Sequence, residues 1–153
     1  VATLLLFGKV GSNIFGGETE GESEKIDWLT DTIATTLHTA TTSFDVDADE
    51  AFADVGDEVA NGNGYTATTG YPLVNKTLTY NATGNKTVMD NTVDPTWTAS
   101  GAGFAANSAV FRDSTSDNLI GYLPFGSTIT LAASDTLTIN LDATSGVWYA
   151  TAV

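Results

Sequence analysis

No cysteine occurs in this chain, so neither disulfides nor thiolate metal sites hold the fold, and the hydrophobic core must do so unaided. Basic residues are scarce: five Lys and Arg against nineteen Asp and Glu leave a net charge of −14. A polyanion of that density is repelled by nucleic-acid phosphates and by anionic lipid headgroups, which argues against DNA, RNA and membrane surfaces as partners. The same charge makes the folded body repel itself, a cost that salt screens with a Debye length of about 10 Å at 0.1 M, so stability is expected to rise with salt. There is one histidine, His38, in a Thr-rich stretch, and no H-x-x-x-H pair, phosphate loop or nucleophile elbow. Carboxylates are so common that no pair stands out as general acid and base; the chain reads as non-enzymatic, with no cofactor.

Long apolar runs are missing as well. The most apolar stretch, VATLLLFGKVGSNIFGG at residues 1–17, is interrupted by Lys9 and has no basic n-region. It is also shorter than the roughly 20 apolar residues that a membrane span needs. With Val1 leading the sequence, as after removal of an initiator Met, synthesis in the cytosol is expected.

What is present has the size of one domain. Residues 1–25 read as an N-terminal apolar arm followed by an acidic linker, GETEGESEK, without apolar content. Residues 26–153 read as a β-sandwich domain. Ile33, Thr35 and Leu37 alternate with Ala34, Thr36 and His38 as a strand. Over residues 45–58 an Asp at a plausible N-cap, with Phe52 and Val55 three apart, predicts about two turns of helix. Turn residues crowd 62–72, and thereafter the period is two: Leu78 and Tyr80 face inward against Thr77 and Thr79, and Leu137, Ile139 and Leu141 oppose Thr136, Thr138 and Asn140. Short hairpin connections are predicted at 116–118 and at 142–146, the second joining TLTINL to VWYATAV. The fold class is therefore mainly β, an antiparallel β-sandwich with one short helix and an N-terminal arm.

Four features invite a functional reading. Asp45, Asp47, Asp49 and Asp54 look like a calcium loop, but counting from Asp45 the sixth and twelfth positions hold Glu50 and Gly56, where an EF-hand needs Gly and Glu. The residues then read as a solvated, helix-capping segment, with a less regular calcium site as the alternative. Trp28, Trp97 and Trp148 are either core mass or a sugar-stacking platform. NKTLTYNATGNKT, residues 75–87, carries three glycosylation-type triplets, yet it also reads as a strand to Tyr80, a turn over 82–85 with Gly84 at positive φ, and a return strand. The arm residues Leu4, Leu5, Leu6, Phe7, Val10, Ile14 and Phe15 form the candidate contact with a partner or a neighbouring subunit, since contiguous exposed apolar surface marks an interaction site. The alternative is that they fold back over their own sandwich. If the arm is a separate docking device, deleting residues 1–17 leaves the sandwich folded.

The ordered series IDWLTDTIATTLHT, FADVGDEVANGNGYTATTGYPLVNKTLTYNAT, DPTWTAS, AVFRDSTSDNLIGYLPFG and LTINLDATSGVWYATAV resembles a family of small virion structural proteins of tailed bacteriophages, and does so across residues 26–153. Members of that family carry N-K-T-V-T-Y-D-A where this chain has NKTLTYNA. AVFRD departs from the family's more aromatic strand, Thr35 replaces an aliphatic residue, and the Glu-rich stretch after Gly17 is longer. The resemblance implies a capsid cement or decoration protein made in the host cytoplasm and placed on the capsid surface of the virion. It implies the major capsid protein as partner and self-association, with a homotrimer matching the local threefold axes of capsid lattices. The alternative is a tail, fibre or adhesin-like module that recognises host-surface glycans through Trp and Asp.

Overall fold

The computed structural model describes residues 4–7, 25–39, 44–82, 85–141 and 148–151. Nearly all regular structure is strand: β1 (Leu5–Leu6), β2 (Ile33–His38), β3 (Tyr71–Pro72), β4 (Lys76–Asn81), β5 (Lys86–Asn91), β6 (Thr96–Thr98), β7 (Phe104–Asp113), β8 (Leu119–Leu131), β9 (Thr136–Thr138) and β10 (Trp148–Thr151). All pairings are antiparallel and give sheets ordered β1-β8-β7-β2-β3, β10-β5-β4 and β6-β9. The main core joins Ile33, Leu37, Ala109 and Phe111 of the five-stranded sheet to Met89 and Trp97 of the two smaller ones. The chain is thus mainly β, in the antiparallel, sandwich-like arrangement that its alternation predicts.

The five-stranded sheet is covered on both sides. All six residues of β2 are buried, because Ile33 and Leu37 face the main core while residues 44–58 fold across the opposite face. There Phe44, Val46, Phe52 and Val55 pack with Phe7, Val110, Leu119 and Tyr122 as a second cluster. The branched residues of IATTLH suit such a strand, and six matched pairs with β7 hold it in register.

Three local expectations change. The predicted helix over 45–58 is a single 3-10 turn, Phe52–Asp54. Its carboxylates bond the backbone of their own segment, which competes with helix: Asp49 Oδ2 accepts from Asp45 N at 2.8 Å, and Asp54 Oδ2 from Glu50 N and Ala51 N at 3.1 and 3.0 Å. Leu78 and Tyr80 are not buried inward; they are 47% and 62% exposed. They lie on the face that Met89 turns to the core, but β4 is the outer strand of its sheet and overhangs the core's margin. Finally, β9 and β10 do not form a hairpin with each other. β9 pairs with β6, where Thr96 and Thr138 hydroxyls meet at 3.0 Å, and β10 pairs with β5. The connection at 142–146 itself lies outside the described residues, as does Gly84 in the β4–β5 turn.

Other local readings hold. Leu137, Ile139 and Leu141 are half-buried or buried while Thr136, Thr138 and Asn140 are exposed, and residues 114–118 close the β7–β8 hairpin. In the stretch NKTLTYNATGNKT, Asn75 and Asn85 take positive φ of 54° and 47° at the start of β4 and just before β5. Asn tolerates that conformation better than most residues, which gives two of the three triplet asparagines a backbone role.

Candidate functional site

The arm residues do not stay together. Leu5 and Leu6 pair with Tyr122 and Gly121 of β8, and Phe7 N donates to Ile120 O at 3.1 Å. Phe7 is only 2% exposed, its ring packed edge-on against Phe44 and tilted against Tyr122. Leu4 packs on the main core, Leu6 is 39% exposed, and Val10, Ile14 and Phe15 lie outside the described residues. Residues 4–7 therefore pack as part of the sandwich, with Phe7 filling the second cluster, so deleting residues 1–17 removes a core side chain as well as the arm.

The acidic segment forms no evident cation cage. No group of three or more potential ligands gathers among the described residues. Asp45 Oδ1 accepts from Asp47 N, and backbone N–H groups of Ala51 and Glu50 hold the Asp54 carboxyl below its usual range. Trp28 and Trp97 are each 5% exposed, so neither offers a face to a sugar. Trp28 Nε1 donates to Thr77 O at 2.9 Å, and Trp97 meets Tyr71 edge to face.

The densest polar chemistry is internal, between β2 and the loops that cross it. His38 Nδ1 lies 2.8 Å from Gly56 O; a carbonyl only accepts, so Nδ1 carries the proton and Nε2 accepts from Thr36 Oγ1 at 3.0 Å. Burial holds this imidazole below its ordinary pKa, and Phe44 and Phe52 meet its ring edge-on. Tyr65 OH accepts from Leu37 N at 2.9 Å and donates to Glu58 Oε1 at 2.7 Å, and burial pushes its pKa up. Glu58 also accepts from Thr68 N. Arg112 bonds Asp117 Oδ1 at 2.7 Å and Thr68 O, with its guanidinium 3.9 Å above the Phe52 ring. Each of these groups ties a loop to the sheet; none is presented to an incoming substrate. Only His38 was singled out by sequence, because Tyr65, Glu58 and Arg112 are scattered over 55 positions and no local spacing connects them.

A surface cleft of about 260 Å³ is lined by Trp28, Leu29, Leu78, Met89 and Ile120 together with Lys25 and Asp27. Leu29, 52% exposed, with Leu78 and Tyr80, forms an apolar margin beside β4. The alternation of β4 marks Leu78 and Tyr80 as sharing a face; their exposure follows from the strand's position at a sheet edge, which no local pattern encodes. No helix among the described residues is long and apolar enough to cross a membrane. Comparison with protein-family models, with curated proteins and with solved structures found no match to this chain.

Proposed function

We propose that this chain is a non-enzymatic virion structural protein, a cement or decoration protein bound to the outer surface of a capsid through the major capsid protein. The observation that carries the reading is the use made of its reactive side chains. His38, Tyr65 and Arg112 are all buried and bonded to the fold's own loops, and what is left at the surface is an acidic, Thr-rich body with an apolar margin, a body suited to binding. The ordered resemblance over residues 26–153 supplies the class of particle, and the β-sandwich agrees with it. Within the arm, Leu6 offers exposed apolar surface to such a contact.

The mechanism is mass action: a protein that binds only the assembled shell stabilises it by RT ln(1 + [L]/Kd), about 2.7 kcal/mol at a free concentration of 100 Kd. Many copies multiply that effect across the shell. The test is cosedimentation of the purified chain with undecorated tailed-phage capsids and, separately, with host-surface glycans. Binding to capsids, with a raised temperature of shell disruption, supports the reading. Cosedimentation with glycans and not with capsids replaces it with the adhesin-like alternative, which the burial of Trp28 and Trp97 leaves without a stacking platform from those two residues.

A further inference from the structure

We propose that Asn63 is a site of spontaneous covalent modification, losing its side-chain amide to water through a cyclic imide closed by the backbone nitrogen of Gly64. Asn-Gly occurs twice in the chain, back to back, as Asn61-Gly62 and Asn63-Gly64. A glycine after asparagine leaves the attacking nitrogen unshielded by a side chain, so on sequence alone both pairs carry this chemistry. The structure separates them. Residues 62–65 form a closed two-residue turn, in which Gly62 N donates to Tyr65 O and Tyr65 N to Gly62 O, each at 2.9 Å. Its central residues, Asn63 and Gly64, have φ of 52° and 91°, as a type I′ turn requires. A Cβ at Gly64 would stand 2.1 Å from Thr98 O, so any side chain there meets backbone. The turn thus demands the two residues that make it labile.

The two sites differ in the nitrogen that attacks. Gly62 N–H is bonded to Tyr65 O, which holds it away from the Asn61 side chain. Gly64 N–H meets no acceptor among the described residues, and Asn63 and Gly64 are both exposed to water. On the other side of the reaction the sites are alike. Asn63 Oδ1 accepts from Ala102 N and Asn61 Oδ1 from Ala67 N, each at 3.3 Å, donors aimed at the oxygen on which negative charge develops when Cγ is attacked.

In the reaction, Gly64 N gives its proton to hydroxide and bonds Asn63 Cγ. The Cγ–Nδ2 bond breaks, and the amide leaves as ammonia with a proton from water, which restores the hydroxide. Water then opens the imide at either of its two carbonyls, leaving aspartate or a β-linked isoaspartate. Ring closure turns the Asn63 carbonyl and releases Ser100 N, which bonds it at 2.8 Å on an exposed loop where water takes its place. Each conversion adds one negative charge to a chain already at −14. The β-linked product also adds one main-chain atom to a turn that closes directly on Tyr65, the residue whose hydroxyl joins Leu37 N to Glu58.

The test is to age the full chain in warm, mildly alkaline buffer, once folded and once in urea. Peptide mapping with enzymatic methylation of isoaspartate then locates the converted residue, and intact mass follows the exchange of amide for acid. In the folded chain Asn63 is expected to convert faster than Asn61 by about fivefold or more, the worth of one hydrogen bond, while in urea the two convert at similar rates. Asn63→Gln should abolish the conversion of the folded chain, because the longer side chain closes a less favourable ring, and Asn61→Gln should leave it unchanged. Conversion of Asn61 as fast as Asn63 in the folded chain overturns the assignment. So does a folded chain that stays intact at Asn63 while the chain in urea converts.

Discussion

Replacing Phe7 by Ala tests whether residues 4–7 are part of the sandwich or a free docking arm. The ring is 2% exposed and packs among Val55, Val110 and Leu119, edge-on to Phe44 and tilted against Tyr122 at centroid distances of 6.4 and 6.0 Å. Truncating a buried Phe to Ala costs about 3–5 kcal/mol, combining lost transfer energy with the cavity left behind. One effect limits the loss. β1 is two residues long, so once the substitution costs more than the segment gains by docking, the segment detaches and the penalty stops at its docking free energy. A loss of about 3 kcal/mol in a chain of 153 residues lowers Tm by about 10 °C, at 2–4 °C per kcal/mol. Calorimetry gives the shift, and hydrogen exchange at Phe7 N–H, which donates to Ile120 O, reports detachment directly. Leu6→Ala, at a site 39% exposed, is the control and should change Tm by no more than about 2 °C. If Phe7→Ala changes Tm as little as Leu6→Ala, the integration of residues 4–7 into the fold is refuted.

Tyr65→Phe leaves Leu37 N–H buried without its acceptor and should cost about 1–3 kcal/mol in urea denaturation; an unchanged midpoint would mean that water replaces the hydroxyl. His38 titrates below the 6.5 of the unfolded chain, so its contribution is flat above that pH, and stability falls as pH drops below it because the unfolded chain takes up the proton first. Asp31, raised above 3.8 by burial and by neighbouring Asp113, acts in the opposite sense nearer its own range, so a His38→Gln chain should lose most of the slope between about pH 7 and pH 5. Raising NaCl from low salt to about 0.5 M should raise Tm, since screening relieves the self-repulsion of a −14 chain; a fall in Tm would count against charge as a destabilising factor.

The sequence made visible those features that repeat at short range. The alternation of Leu137, Ile139 and Leu141, the hairpin connection expected at 116–118, which the structure extends back to 114, and the strand–turn–strand around Ala82 all follow from local spacing. What local spacing does not carry is which strand lies beside which. Trp148–Thr151 pairs with β5 rather than with the strand just before it, and Leu78 and Tyr80 have the pattern of inward residues on a strand that overhangs the core. The helix expected near Phe52 failed for a different reason: Asp49 and Asp54 satisfy nearby backbone N–H groups, and Phe44, Val46, Phe52 and Val55 are spread to cover a sheet instead of aligning on one stripe. Of the candidate site, the arm was found as apolar, but its fate at Phe7 depends on residues more than 100 positions away, Val110 and Leu119.

The six-pair match of β2 with β7 joins Ile33 to Asp113 and His38 to Ser108, residues 80 and 70 positions apart. At a translation rate of about 5–20 residues per second, β2 leaves the ribosome roughly 4–16 s before its partner has been made. During that interval the strand destined to be buried on both faces has only the two residues of β3 to pair with, while the β4–β5 hairpin, whose strands are neighbours in sequence, is free to form. Assembly of the main sheet therefore waits for the C-terminal half, and a chain interrupted before residue 104 exposes a strand that the finished fold buries completely, a template for aggregation.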